Sequence, residues 1–285
     1  MRAMTFVHRV LVAAFLVLPL PLAAAAPVVA STSSYVQRMT TGEVAESIRA
    51  DLPRPIASLT KLTTAMVLLD TKADLNRTVT YQPDRHYAYR NWMNFARGDR
   101  LTGRDLFLAL LVGSQNIPAR MLVDLTSYTE REFVAAMNAK AQALGLRQTK
   151  FVDVHGLDPA NVSTAAEVAR MFAAALEYPE IRSALGRSRA QATTVSRSNR
   201  SVVHRFSHTN ILLAKWQRFA TEASKTGYLN EAGDTIAMLI RDPKTGTRSI
   251  VVTLGEPRRA PRFAIARRLA ERAIRSAQVA ATANR

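Results

Sequence analysis

The sequence predicts an α/β protein of the α+β kind, in which helices cover an antiparallel sheet and an all-helical lobe is inserted. Three observations lead to this fold class. The segment "SYVQRMTTGEVAESI" contains two extended stretches around Thr41-Gly42, as in a hairpin. A long middle region carries apolar residues at helical spacing. After about residue 190 the segments become short, β-branched and separated by turns. The simplest assembly pairs the early hairpin with the late strands in one sheet.

Helices are predicted in order along the middle region. The first begins at Ser58 and ends near Asp70. The segment "LTGRDLFLALLVGSQNIPARMLVDL" predicts two helices on either side of "GSQNIP", and "EREFVAAMNAKAQALGL" predicts another that stops at Gly145. "STAAEVARMFAAALEYP" predicts the next helix. Two of these helices start with a predicted capping box, formed by Thr102 with Asp105 and by Thr164 with Glu167.

The chain closes on an amphipathic helix in "PRFAIARRLAERAIRSA", where Phe263, Ala266, Ala270 and Ile274 line one face opposite the arginines. No internal repeat or low-complexity linker separates the segments. We therefore expect one domain over residues 31–278, with the helical lobe at about 71–190 and a short tail at 279–285.

The first 30 residues predict a secretory signal peptide. Arg2 and Arg9 give a basic tip, and "VLVAAFLVLPLPLAAAAPVVA" supplies an apolar core followed by small residues. The pattern favours cleavage before Ser31, with cleavage within residues 23–26 as the alternative. An uncleaved membrane anchor is less favoured, because two prolines interrupt the apolar run. The predicted location is the periplasm.

Composition limits the partners that such a chain binds. It contains no cysteine, which excludes disulfides and thiolate metal sites. The net charge is +17, but the arginines are scattered, so nucleic acid is not the expected partner. A peripheral contact with the cell wall or a membrane surface suits a secreted basic protein better. The plainest alternative is that the charge only keeps the protein soluble.

Three short motifs carry the chemistry: Ser58-Leu59-Thr60-Lys61, Ser114-Gln115-Asn116 and Lys225-Thr226-Gly227. Each is weak alone, because such tripeptides are common in turns and on helix faces. In this order they match the S-x-x-K, S-D-N and K-T-G elements of β-lactamases and penicillin-binding proteins, with glutamine in the middle of the second element. A second KTG at residues 244–246 follows Asp-Pro between two apolar strands, and predicts only a turn.

With these motifs the chain resembles the low-molecular-mass penicillin-binding proteins, the D-alanyl-D-alanine carboxypeptidases and endopeptidases. The likeness also covers "RPIASLTKLTTAMVLLD", "FVAAMNAKAQALGL", "TKFVDVHGLDPANVSTAAEVARM", "HTNILL" and "SKTGYLNEAGDTIAMLI", from about Ser33 to the closing helix. It is most similar to the D,D-endopeptidases related to penicillin-binding protein seven. The resemblance implies the β-lactamase/transpeptidase-like fold and a serine D,D-peptidase that cuts D-alanyl-diaminopimelate cross-links of peptidoglycan, terminal D-Ala-D-Ala, or both. It also implies inhibition by β-lactam antibiotics and no cofactor.

The resemblance also assigns roles to the motif residues. The implied catalytic residues are Ser58 as nucleophile, Lys61 as its base, Ser114 as a proton relay and Asn116 as the group that orients the substrate amide and Lys61. The implied substrate-binding residues are Lys225 and Thr226 for a carboxylate, Gly227 for an open strand edge, and Tyr228, whose backbone N–H forms an oxyanion hole with that of Ser58.

The spacing of Ser58 and Lys61 explains why a lysine suits this position. Residues three apart share a helix face, so the lysine can reach the serine hydroxyl. Its amine must be neutral to accept a proton, and both burial and the charge of Lys225 would lower the pKa of Lys61. The alternative is that Lys61 extends to water and has no catalytic role.

Other interpretations stay open at this point. A carboxypeptidase proper, a β-lactamase on the same fold and a cell-wall-binding pseudoenzyme fit parts of the pattern, and a nucleic-acid binder fits only the charge. Glu167 invites a deacylating role, but its capping position explains it without one. The histidines at 86, 155, 204 and 208 show no metal-binding spacing, and His155 is expected to be a packed loop residue. We favour core packing for the segment "HYAYRNWMNFARGDR", with a glycan-binding groove as the alternative.

Overall fold

The structure is a computed structural model that describes residues 32–215, 219–257 and 263–283, so the predicted signal peptide lies outside the described residues. The strands in chain order are β1 (Ser33–Arg38), β2 (Val44–Ile48), β3 (Arg54–Pro55), β4 (Thr78–Thr80), β5 (Arg100–Thr102), β6 (Val162–Ser163), β7 (Arg189–Val195), β8 (Ser201–Ser207), β9 (Ala220–Leu229), β10 (Gly233–Arg241) and β11 (Arg248–Glu256). The helices are α1 (Lys61–Asp70), α2 (Pro83–His86), α3 (Gly103–Leu111), α4 (Ile117–Val123), α5 (Glu130–Ala143), α6 (Ala165–Leu176), α7 (Pro179–Leu185), α8 (Leu212–Lys215) and α9 (Ala264–Ala283).

The main sheet has the strand order β2-β1-β11-β10-β9 and is antiparallel throughout. The predicted pairing of the early hairpin with the late strands is therefore confirmed. β9, which carries the first KTG, is the end strand of this sheet. The second KTG lies in the turn between β10 and β11, where Gly246 has a φ of 73° and donates its N–H to the carbonyl of Asp242. That tripeptide is the turn that the sequence predicts.

Helices pack on both faces of the main sheet because its central strands are apolar on both faces. Ile236 and Met238 of β10 face one cluster, which α9 completes with Ala270. The alternate residues Ala237 and Leu239 point to the opposite face of the sheet. They belong to a larger cluster that includes residues of α1, α3, α5 and α6. A strand buried on both faces needs apolar residues at successive positions, not alternate ones.

The lobe at about 71–190 is not all-helical, which corrects the prediction. A second sheet with the order β4-β5-β7-β8 runs through it. β4 and β5 are only three residues long, too short for a period of two to be recognised. The late segments of β7 and β8 join this sheet and not the main one, since Val195 of β7 pairs with Arg100 of β5. The lobe boundary therefore extends beyond residue 190.

Helix α9 continues to Ala283, five residues past the predicted boundary at 278. The expected tail is therefore helical from 279 to 283, and the alanines of "VAATA" favour this helix because alanine has the highest helix propensity. Within the described segments, no helix is both long and apolar enough to cross a membrane.

The two predicted capping boxes are only half formed. Thr102 and Thr164 accept hydrogen bonds from the backbone N–H groups of Asp105 and Glu167. The buried carboxylate of Glu167 does not return a bond to its cap, and accepts instead from the N–H of Gln148 and the hydroxyl of Thr149. It thereby fixes the loop before β6. A complete capping box occurs at the start of α5, at Thr129 and Glu132.

Candidate active site

Ser58 lies in a 3-10 turn, Ala57–Thr60, that leads directly into α1. Two glycines allow other segments to approach this turn closely. A Cβ on Gly156 would lie 2.0 Å from the carbonyl oxygen of Ala57, and a Cβ on Gly227 would lie 2.8 Å from the backbone nitrogen of Ser58. Ala57 itself has a φ of 48°, a backbone conformation that costs about 1 kcal/mol for a residue other than glycine. The serine is therefore held between β9 and the 153–158 loop.

Lys61 is the first residue of α1, and its side chain is 0% exposed. Its Nζ lies 2.8 Å from Ser58 Oγ and 2.8 Å from Asn116 Oδ1, and it also donates to the carbonyl oxygen of His155. The alternative interpretation, in which the Lys61 side chain extends to water, is wrong because the side chain is fully buried. A neutral amine has two N–H donors and one lone pair. Asn116 Oδ1 and the carbonyl oxygen of His155 can accept hydrogen bonds from both N–H groups of the neutral amine. The lone pair of Nζ is then free to accept the hydroxyl proton of Ser58.

Burial lowers the pKa of Lys61 to about 7, because the buried site does not solvate an ammonium ion. The carboxylate of Asp153 acts in the opposite direction and limits this decrease. The charge of Lys225 was expected to contribute to this decrease. Burial is the main cause instead, and Asp153, whose effect on Lys61 was not predicted, acts against it.

Asp153 organises the loop that supplies the carbonyl oxygen to Lys61. Its carboxylate accepts from the backbone N–H groups of His155, Leu157 and Asp158, and pairs with His155 Nδ1 at 3.1 Å. Burial acts to raise the pKa of Asp153, but the hydrogen bond and charge of the His155 side chain and the N–H groups of Asp158 and Gly156 together lower it by more, so the carboxylate stays ionised. His155 is a packed loop residue, as predicted, but its backbone carbonyl contacts the candidate base. The residue types of "DVHGLD" could not indicate this backbone role.

The second and third motifs meet through Lys225. Its Nζ donates to Ser114 Oγ at 2.7 Å and to the carbonyl oxygen of Thr226 at 2.8 Å. Ser114 adopts a φ of 54° between α3 and α4, which turns its hydroxyl toward β9. Thr226 Oγ1 contacts Thr209 Oγ1 at 2.5 Å. Thr209 belongs to the "HTNILL" segment and was not among the predicted site residues.

His208 lies beside this cation and is neutral. Burial and the charge of Lys225 lower the pKa of His208 to about 4. Its Nε2 lies 3.0 Å from the carbonyl oxygen of Ser224, so that nitrogen carries the proton, and its Nδ1 accepts the N–H of Asn210. The ring therefore supports β9 without adding a second charge to the site.

Asn116 has a fixed orientation. Its Nδ2 donates to the carbonyl oxygen of Tyr89 at 2.8 Å, and because a carbonyl only accepts, Oδ1 must face Lys61. The segment 87–95 thus positions a candidate catalytic group. Gln115, by contrast, bonds locally to the carbonyl oxygen of Gly113.

These groups surround one cleft of about 560 Å³. Ser58, Ser114 and Asn116 line it together with the substrate-binding candidates Thr226, Gly227 and Tyr228. Lys61 and Lys225 are buried behind this surface and bonded to residues that line it. All eight predicted site residues are thus brought together, and Gly156 and Leu157 add to the wall.

The aromatic segment at 86–100 was interpreted either as part of the core or as the lining of a groove, and its residues divide between these two positions. Met93 and Phe95 are buried in the core, as favoured. Tyr89, Arg90 and Trp92 line the cleft instead, and Trp92 is 68% exposed. Core packing therefore accounts for only part of the segment.

The fold and the grouping of these residues fit a serine hydrolase, with Ser58 as the candidate nucleophile. A serine hydroxyl is hydrogen-bonded to a buried amine of lowered pKa, and a second lysine is hydrogen-bonded to a hydroxyl that lines the same cleft.

Comparison with known proteins narrows this class. The profile of the D-alanyl-D-alanine carboxypeptidase peptidase family matches residues 21–258. A D-alanyl-D-alanine endopeptidase of Pseudomonas aeruginosa is 36% identical over 210 residues, 73% of this chain and 66% of that protein. A D-alanyl-D-alanine endopeptidase of Escherichia coli is 33% identical over 216 residues, 75% of this chain and 68% of that protein. The chain thus spans about two thirds of the length of these relatives.

Solved structures agree with the sequence relatives. A mutant of the Streptomyces K15 DD-transpeptidase superimposes with a TM-score of 0.72 at 25% identity, covering 88% of this chain and 98% of that one. The chain belongs to the D-alanyl-D-alanine carboxypeptidase family of serine peptidases. The predicted family and fold class are confirmed.

Proposed function

We propose that this chain is a D,D-endopeptidase that hydrolyses D-alanyl-diaminopimelate cross-links of peptidoglycan through an acyl-enzyme on Ser58. The observation that carries the proposal is the 2.8 Å contact between Ser58 Oγ and Lys61 Nζ, at a lysine whose pKa is about 7. Both relatives described above are named endopeptidases, which supports this bond over terminal D-Ala-D-Ala.

In the proposed acylation, Lys61 takes the hydroxyl proton while Ser58 Oγ bonds to the carbonyl carbon of the D-alanine. The backbone N–H groups of Ser58 and Tyr228 stabilise the oxyanion. The proton held by Lys61 returns through Ser114 to the nitrogen of the leaving amine as the amide bond breaks. Water then attacks the acyl-enzyme, and Ser58 recovers its proton as the ester bond breaks.

The remaining site residues are proposed to position the substrate. Lys225 and Thr226 bind the carboxylate of the residue after the scissile bond by charge-assisted hydrogen bonds. Gly227 permits β9 to lie close to Ser58, and Asn116 holds Lys61. β-Lactams would acylate Ser58 because their ring amide resembles the acyl-D-Ala-D-Ala end.

A carboxypeptidase proper is the second candidate, because the matching family profile carries that activity in its description. A β-lactamase is less favoured. Glu167, the acid that invited a deacylating role, is buried against the 148–149 loop and is not among the residues lining the cleft. We therefore expect a long-lived penicilloyl-enzyme.

The proposed location is the periplasm of a bacterial cell, with residues 1–30 as the export signal. The proposed peptidase domain begins at residue 31 and extends through α9 to residue 283.

The test is product analysis of the protein without residues 1–30. It is incubated with purified cross-linked muropeptide dimers and, separately, with pentapeptide monomers, and the products are weighed by mass spectrometry. Splitting of dimers into monomers is expected, and the Ser58→Ala variant should leave both substrates intact. Release of terminal D-alanine with unchanged dimers would replace the endopeptidase assignment with the carboxypeptidase one.

A further inference from the structure

A second cleft of about 560 Å³ lies on the lobe, formed by β7, β8 and the neighbouring α3. Arg187, Arg189 and Arg205 line it, and its other lining residues include Gln191, Ser207, Leu108 and Phe206. This volume is within the range of sites that hold a small ligand. None of the proposed catalytic or substrate-binding residues contributes to this cleft.

The cleft is positively charged and not neutralised from within. Between Glu180 and Glu222 the sequence contains no aspartate or glutamate, but seven arginines. Within the described parts of the chain, Arg187, Arg189 and Arg205 are exposed and form no salt bridge with any acid.

Strand register brings the arginines together on one face of the sheet. Gln191 is opposite Arg205, and Arg189 is two residues from Gln191 on β7, so Arg189 and Arg205 are diagonal neighbours. Such neighbours are about 7–8 Å apart across a sheet, within the reach of two long side chains toward one group. Guanidinium groups bind carboxylates in bidentate geometry.

Only a thin wall separates this cleft from the catalytic one. The ring of Phe206 lies against the backbone of Gly113, where an added Cβ would be 3.0 Å from Phe206 Cδ2. Phe206 lines the second cleft, while Gly113 and Ser114 line the first. The two clefts therefore adjoin each other at Gly113 and Phe206.

We propose that the cleft around Arg187, Arg189 and Arg205 is a second peptidoglycan-binding site, which takes the carboxylates of a stem peptide next to the one being cut. The proposal rests on the proposed function for the identity of the polymer. The guanidinium groups suit the carboxylates of such a stem. A recessed site favours a peptide over a lipid surface, since flat bilayers contact protruding basic surfaces more readily than concave ones.

The test uses a triple variant, Arg187→Gln, Arg189→Gln and Arg205→Gln. A matched control, Arg131→Gln, Arg147→Gln and Arg275→Gln, removes the same charge at exposed arginines outside both clefts. Binding to purified sacculi is measured by co-sedimentation in a Ser58→Ala background, and cleavage of soluble muropeptide dimers is measured with Ser58 present. Both are measured at low salt and repeated at high salt.

The cleft variant should bind sacculi about tenfold more weakly at low salt, since three exposed charge contacts are each worth little alone. At high salt its difference from wild type should shrink. It should cleave soluble dimers at the wild-type rate, and the control should bind sacculi within about twofold of wild type. Equal losses in the two triple variants, or no loss in either, would overturn the proposal.

Two further outcomes separate the alternatives. If the cleft variant loses binding to vesicles containing anionic phospholipid while its binding to sacculi is unchanged, the site takes lipid phosphates and the proposal is wrong. The cleft variant could also lose binding to sacculi while the wild-type protein fails to cleave dimers. That result would support the second binding site and would reject the endopeptidase function.

Discussion

Gly227 offers a sharp test of how closely β9 must approach the nucleophile. In the Gly227→Ala variant the new Cβ would lie 2.6 Å from Thr235 Oγ1 and 2.8 Å from Ser58 N. Ordinary contacts of a Cβ begin at 3.4 Å, so the segments must separate by 3.4 − 2.8 = 0.6 Å at Ser58 and 3.4 − 2.6 = 0.8 Å at Thr235. A shift of about 1 Å at a reacting group costs about a hundredfold in rate. We expect acylation to slow by between about tenfold and about a hundredfold.

The assay is the second-order rate constant for labelling by fluorescent penicillin. The chain supplies its own control in the second KTG, because a Cβ on Gly246 would have no neighbour within 4 Å. The φ of Gly246 is 73°, so Gly246→Ala should lower the stability by about 1–2 kcal/mol while leaving the labelling rate unchanged. Labelling of Gly227→Ala at the wild-type rate would show that the close approach of β9 is not needed and would refute the reasoning.

Two further predictions concern the pH dependence of penicillin acylation. If Lys61 must be neutral and its pKa is about 7, the rate should rise with pH around a midpoint near 7, with about one-hundredth of the amine neutral at pH 5; a rate that is flat from pH 5 to 8 would contradict this. The negative charge of Asp153 raises the pKa of Lys61, so Asp153→Asn should move the midpoint to lower pH, whatever it does to the maximal rate. An unchanged midpoint, or one moved to higher pH, would show that Asp153 does not act on Lys61 through its charge.

The main sheet, and the grouping of the eight candidate site residues around one cleft, could be predicted because these features have local signatures. Short β-branched segments between turns, a hairpin turn and three ordered motifs can each be recognised within a few residues. The distinction between the two KTG tripeptides also depended on neighbours, since Asp242-Pro243 precedes the one that forms a turn. The structure then showed what the motifs imply: Ser58, Lys61 and Lys225 lie around one cleft.

Features that depend on distant partners were not predicted. The three-residue strands β4 and β5 form only because they pair with each other and with β7, so the lobe was expected to be all-helical. The carboxylate of Glu167 was expected to close a cap, but a loop nearly twenty residues earlier presents better donors. The pKa of Lys61 depends on burial and on Asp153, neither of which can be derived from spacing.

The contacts made by backbone carbonyl groups in the site could not be predicted from the sequence either. His155 contributes a carbonyl oxygen, and Tyr89 contributes another that fixes Asn116. Any residue type can provide a carbonyl oxygen, so residue identity contains no information about it. Gly227 was assigned to ligand access, whereas its close neighbours are Thr235 and the nucleophile itself.

The most direct test of the central claim is the titration of Lys61 in the unacylated protein. Lysine-labelled protein is followed by NMR from pH 5 to 11, and the Lys61 signal is assigned by its loss in the Lys61→Arg variant. If Lys61 is the base, its midpoint should be about 7, far from the ordinary value of 10.5. A midpoint near 10.5 would mean that the amine is charged at neutral pH, and Lys61 would then be unable to serve as the base for Ser58.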